Sequence, residues 1–175
     1  MQSTLPPLRG IFRDVLVGPD GHTRYDSGWT NNTVVDRGRA LLAAFLANGP
    51  TQGIRFLAVG RGLPQWDTDG TPAPDPAAID LLDRYQPAIP VGDLNVAFLD
   101  DGGNVVQGPT TRLQVTATLE AGYPAVPEGE TAYPLREFGL FGEFGGGPFM
   151  INSVRHGVIQ KDPASTLIRV IRLTF

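Results

Sequence analysis

YPLREFGLFGEFGGGPFMINSVRHG, residues 133–157, decides the fold, because it is either a reaction site or scaffold. Arg155-His156-Gly157 and Glu137, the one acid within YPLREFGLF, speak for a site. The remaining residues speak for scaffold. Phe138, Leu140, Phe141, Phe144 and Phe149 carry large apolar area, while Gly139, Gly142 and Gly145 to Gly147 allow bends and close backbone approach in strands. A carboxylate flanked by apolar residues must be compensated when buried, so Glu137 is expected to pair with an arginine or with backbone amides. The stretch is read as scaffold, with Glu137, Gly139 and Phe141 as structural residues.

Strand signals surround it. TLIRVIRLTF runs as a strand to Phe175, and RLQVTATLE alternates, with Leu113, Val115, Ala117 and Leu119 on one face. LNVAFLDDGGNVVQG reads as a hairpin around Asp101-Gly102-Gly103. IFRDVLV and HTRYDS form another around Gly18-Pro19-Asp20-Gly21, since an Asp-Gly pair favours the positive φ of tight hairpin turns. IRFLAV, residues 54–59, is a buried strand.

The spacing of TVVDRGRALLAAFLANG predicts a helix over about 34–47. Val34, Val35, Leu41, Leu42, Phe45 and Leu46 share one face, against Asp36, Arg37 and Arg39 on the other. Asn32 or Thr33 is the expected cap, with Asp36 in a capping-box position after Thr33, and Asn48-Gly49-Pro50 the expected left-handed stop. Leu41, Leu42 and Phe45 are expected to be buried on a sheet, making Phe45 a structural residue. A short helix is expected to start at Asp75-Pro76 and to carry Ile79, Leu82 and Tyr85 inward.

The 175 residues suit one core, and 22 glycines with 16 prolines favour turns and short strands over helices. The fold class expected is mainly β: a single-domain antiparallel β-sandwich with one amphipathic helix packed on a sheet. Residues 1–9 are expected to be an extended N-terminal arm and 10–175 the domain, with long loops at 60–78 and 121–134. A net charge of -4 and scattered arginines give no field for a nucleic-acid backbone. With no cysteine, neither a disulfide framework nor a thiolate metal site can form. No stretch has the roughly 18 apolar residues of a membrane span, and no export signal is expected.

The catalytic patterns are incomplete. Arg155-His156-Gly157 matches the start of a histidine phosphatase signature over three residues, but MINSVRHGVIQ continues as a strand and the other histidine, His22, follows a hairpin turn. Asp67-Thr68-Asp69-Gly70 resembles the middle of a calcium loop, yet Gln65 and Pro76 stand where its end ligands belong. Gly60-Arg61-Gly62 lacks the third glycine of a dinucleotide loop. No enzyme, cofactor or metal is expected. Trp29, Trp66, Tyr85, Tyr123 and Tyr133 lie in or beside Pro- or Gly-rich segments, where aromatics serve either interfaces or local packing.

In order along the chain, WTNNTVVDRGRALLAAFL, IRFLAVGRG, LREFGLFGE and MINSVRHGVIQKDPASTLIRVIRLTF resemble small structural proteins and fibre N-terminal domains of tailed bacteriophages. Contractile injection systems share such components. The resemblance covers residues 29–63 and 135–175, and it implies a non-catalytic collar, baseplate or adaptor protein located in the virion tail and assembled in the host cytoplasm. It also implies a homo-oligomer of ring or trimer symmetry that contacts other subunits, with neither nucleic acid nor membrane as partner. Leu5, Pro6, Pro7, Leu8, Trp66, Tyr123 and Tyr133 are the interface candidates. The alternative is a free carbohydrate-binding β-sandwich using Trp29, Trp66 and the loop tyrosines, which would make a host-surface glycan the partner.

Overall fold

The computed structural model describes residues 8–175, so Leu5, Pro6 and Pro7 lie outside the described residues. The strands are β1 (Arg9–Val17), β2 (Thr23–Asp26), β3 (Thr30–Val34), β4 (Thr51–Gly60), β5 (Ile89–Pro90), β6 (Leu94–Leu99), β7 (Val105–Val106), β8 (Arg112–Leu119), β9 (Tyr133–Phe144), β10 (Gly147–Met150), β11 (Asn152–Lys161) and β12 (Thr166–Thr174). Helix α1 (Asp36–Leu46) follows β3, and a single helical turn, α2 (Trp66–Asp69), follows β4. Arg9, expected in the arm, is instead the first residue of β1.

All strand pairs are antiparallel, in the order β5-β4-β9-β11-β3-β1-β12-β8-β6-β7, with β10 added to β9 and β2 to β1. β3 is the corner of this sheet: its first residues pair with β1, through Gly10↔Asn32, and its last with β11, through Asn152↔Val34. The sheet curls there and its two wings close over one core. Phe12, Val115, Leu119, Leu167 and Ile171 of one wing meet Leu57, Leu135, Phe138 and Leu140 of the other. The fold is thus mainly β and sandwich-like, with one helix, as the glycine-rich strand pattern implied.

β9 is the scaffold strand that the opening stretch predicted, paired with β4, β10 and β11. It is buried on both sides. Phe138 and Leu140 enter the main core, while Phe141 joins a smaller cluster with Val35, Ala58, Leu81 and Met150. Two irregularities break the period of two. In β11, the residues between Arg155 and Ile159 oppose only Arg136 of β9. In β4, those between Gln52 and Phe56 oppose only Gly142. At Gly142 a Cβ would stand 2.5 Å from Leu41 Cδ2 and 2.8 Å from the Gly53 carbonyl, so a glycine is needed for α1 to seat on β4 and β9. Gly139 meets the Asn152 carbonyl and Met150 in the same way.

The helix differs from its prediction at both its start and its face. Asn32 to Val34 belong to β3, whose pairing outcompetes helix entry, and the N-cap residue is Val35 with no side-chain cap bond. Asn48 takes φ 56° and Gly49 N–H donates to the Ala44 carbonyl at 2.8 Å, as the left-handed stop requires. Leu41 is 6% exposed, but Leu42 is 39%, Phe45 66% and Leu46 82% exposed, so the expected burial of Leu42 and Phe45 is overturned. Only the first half of α1 is seated. The expected helix from Asp75 does not form: residues 75–85 cross over the β4–β9 surface with Leu81 buried, while Ile79 and Leu82 face outward.

Candidate functional site

Several of the residues singled out in the sequence are engaged inside the fold. Trp66, an interface candidate, is buried on α2 with the Arg155 guanidinium 5.2 Å from its ring centroid. Arg136 reaches from β9 to Asp67 by two bonds of 2.8 and 2.6 Å and donates to the Arg61 carbonyl at 3.0 Å. That guanidinium holds the Asp67 carboxyl below its usual range. Trp66 therefore anchors its own loop from inside the chain, which corrects its assignment to an interface, while most of residues 60–78 are exposed as expected of a loop. Asp67, from the calcium-like pattern, serves an ion pair. Among the described residues, no group of three or more metal-ligating side chains converges.

Tyr133 is buried, which corrects its assignment to an interface, and Tyr123 is half-buried against the same cluster. Tyr85 packs edge-on against both, with centroids 5.4 Å away in each case. The Tyr123 hydroxyl donates to the Pro87 carbonyl at 2.9 Å, and Ala125 N–H donates to the Tyr85 hydroxyl at 3.0 Å. Burial pushes the Tyr123 phenol up to about 12 and raises that of Tyr133 as well. The trio pins the 121–134 loop to the segment before β5. Lys161, the chain's one lysine, is buried beside it and donates to the Glu120 and Ser165 carbonyls, closing the turn between β11 and β12.

Glu137 is buried and accepts the Asp83 N–H at 2.9 Å, so it met a backbone amide, one of its two expected partners. Glu137→Ala is expected to cost about 1–3 kcal/mol, because the Asp83 amide loses its acceptor in a site closed to water. Glu137→Gln keeps an acceptor and should recover much of the loss. Urea titration of both variants checks this, and an unchanged Glu137→Ala midpoint would contradict the bond.

A second charged cluster was not foreseen. Arg169 and Asp14 are fully buried and joined by two bonds of 2.7 Å, with the guanidinium 3.7 Å from the Phe138 ring centroid. His156 stands in the β11 irregularity, where Nδ1 donates to the Gly157 carbonyl at 2.8 Å, leaving Nε2 to accept from Arg169 Nη2 at 3.2 Å. Burial first, then the Arg169 charge, lower the imidazole to about 4, while Asp14 partly offsets this. The unfolded ring titrates near 6.5, so only the unfolded chain takes up the proton between about 6.5 and 4. Stability is present above that window and lost as pH falls through it. The loss is expected to be about 1–2 kcal/mol, the half-buried ring being partly relieved by solvent. Denaturant titrations at pH 7 and pH 4.5 should show it, and His156→Gln should flatten the difference; an equally steep fall in that variant would place the effect elsewhere.

Comparison with protein-family models, curated proteins and solved structures gives no match.

Among the described residues, the outer face of α1 is an apolar region that packing within the chain leaves exposed. Leu42, Phe45 and Leu46 stand out from α1. At their foot lies a groove of about 330 Å³ whose lining includes Leu8, Leu42, Ile54, Val96, Leu173 and Phe175 and contains no charged side chain. It is the open end of the core, since Leu8, Ile54 and Ile151 pack on the main cluster from outside. Of the interface candidates among the described residues, Leu8 is found at this surface. The sequence did contain the signal for the rest, in a helix more apolar than one seat on a sheet needs. Apolar surface of this kind binds other apolar surface.

Proposed function

We propose that this protein is a non-catalytic structural component of a phage tail or phage-tail-like particle, acting as a collar, baseplate or adaptor subunit through contacts with other subunits and with itself. The observation that carries the reading is the exposed apolar face of α1 above an apolar groove, a combination that marks protein–protein contact. The sequence resemblance supports it: the segments that carry it form α1, β4, β9, β11 and β12, the elements that build the sandwich and present this face. Location in the virion tail belongs to the same proposal. The glycan alternative is weakened because Trp66 and Tyr133 are buried, leaving Trp29 with Arg172 4.5 Å from its ring centroid.

The test is electron microscopy of particles purified from producing cells, with the protein labelled. Wild-type protein is expected in the particles, and Leu42→Glu with Leu46→Glu is expected to fold but to be lost from them. Wild-type protein missing from purified particles would overturn the proposal.

A further inference from the structure

Independently of the assembly role, the geometry points to a second site: the gap in the curled sheet beside Arg155 and His156 binds a small carboxylate with an apolar body. The gap exists because strands part there. β2 pairs with β1 from Val15 onward and β3 pairs with it up to Phe12. Between them Ser27 takes over, its hydroxyl accepting the Asp14 N–H at 2.8 Å and its own N–H donating to the Asp14 carbonyl at 2.9 Å. On the other side, β11 pairs with β3 through Asn152 and Ser153 and then becomes irregular between Arg155 and Ile159. Residues 71–74, Thr-Pro-Ala-Pro, border the gap, held by the Arg155 guanidinium, which donates to the Ala73 carbonyl at 3.2 Å. What remains is a cavity of about 360 Å³. It opens at a bulge, a device that re-aims strand side chains and is common next to functional sites.

The floor of this cavity is polar but already matched. Asp14 is fully buried and tied by two bonds to Arg169, while His156 gives one ring nitrogen to the Gly157 carbonyl and the other to Arg169. Arg155 is different. Its hydrogen bond among the described residues is made by Nη1, and the Trp66 ring, with its centroid 5.2 Å from Cζ, holds the guanidinium in place. Nε and Nη2 stay available, and two adjacent guanidinium donors take a carboxylate through parallel bonds. Since Asp14 and Arg169 cancel, Arg155 leaves the cavity with a net positive charge. Tyr25 and Thr30, both exposed, bring hydroxyls that can donate to an anion oxygen.

The walls set the rest of the ligand. Phe12, Pro72, Pro74 and the Tyr25 ring line the cavity, and an inorganic anion would leave this apolar surface unused. A cavity of about 150 Å³ already holds a benzene. One of about 360 Å³ admits a ring together with its carboxylate.

The test titrates isotope-labelled, full-length protein with sodium benzoate and follows the amide shifts by NMR. Acetate supplies the charge without the ring, and benzamide the ring without the charge. The expected result is saturable shifts at Tyr25, Thr30, Ala73 and His156 with a Kd on the order of 1 mM, as suits so small a ligand. Acetate and benzamide are each expected to bind at least tenfold more weakly. Arg155→Gln is expected to lower benzoate affinity at least tenfold. Tyr25→Phe combined with Thr30→Val should lower it about threefold at an unchanged urea midpoint, both residues being exposed. No saturable shifts at these residues, or equal affinity for benzoate and benzamide, overturns the site. Undiminished affinity in a folded Arg155→Gln, or in the double variant where Arg155→Gln fails to fold, does the same.

Discussion

Arg169→Ala is expected to lower the unfolding free energy by about 3–5 kcal/mol, the cost of leaving a buried charge without its partner. Asp14 and Arg169 have no exposed side-chain surface and meet through two bonds of 2.7 Å. Removing the guanidinium strands the Asp14 carboxylate between the wings of the sheet, opens space above Phe138 and takes a donor from His156 Nε2. The pair is not required for stability as such. Two apolar residues of similar volume avoid the desolvation of two ions, so Asp14→Leu with Arg169→Met is expected to be far closer to the wild type than either single change. Guanidinium titration of the three variants tests both statements. A loss below about 1 kcal/mol for Arg169→Ala would mean that the pair is open to water in solution, and a double variant as unstable as the singles would mean that the charges are irreplaceable.

That pair was legible in the sequence. In TLIRVIRLTF the period of two places Arg169 with Leu167, Ile171 and Leu173, and in RGIFRDVLV it places Asp14 with Phe12 and Leu16. Opposite charges each in phase with an apolar face are a signal for a buried ion pair. The hairpins, the role of β9 and the stop of α1 were legible because turn chemistry and strand periodicity are local. The place of Trp66 was not: its burial depends on Arg155 and on an ion pair between Arg136 and Asp67, groups far apart along the chain. The two strand irregularities were hidden for the same reason, since a bulge is a property of two strands together. Of the aromatics assigned to interfaces, Trp66 and Tyr133 were therefore internal and Tyr123 half-buried. The apolar face that does meet solvent had been assigned to the core, because helical spacing tells which residues share a face but not whether anything covers it.

Phe138 and Phe45 turn that distinction into a measurement. Phe138 is buried, packs edge-on against Phe12 with centroids 5.2 Å apart and lies beneath the Arg169 guanidinium. Phe138→Ala removes a ring from the join between the two wings, and the curled sheet, held by pairing on both sides of β9, can close little of the cavity. A loss of about 3–5 kcal/mol is expected. Phe45, 66% exposed on the outer half of α1, has no such cavity to leave, and Phe45→Ala should change the stability of the isolated chain by no more than about 0.5 kcal/mol. The order reverses for association. Phe45→Ala trims the apolar face proposed for subunit contact and should weaken incorporation into particles, whereas any assembly defect of Phe138→Ala should follow its unfolding and disappear on cooling toward maximal stability. Denaturant titration paired with particle loading separates the two. A Phe45→Ala loss comparable to that of Phe138→Ala would show that the helix face is covered within the monomer, and an unaltered loading of Phe45→Ala together with Leu42→Glu would remove this face from the interface.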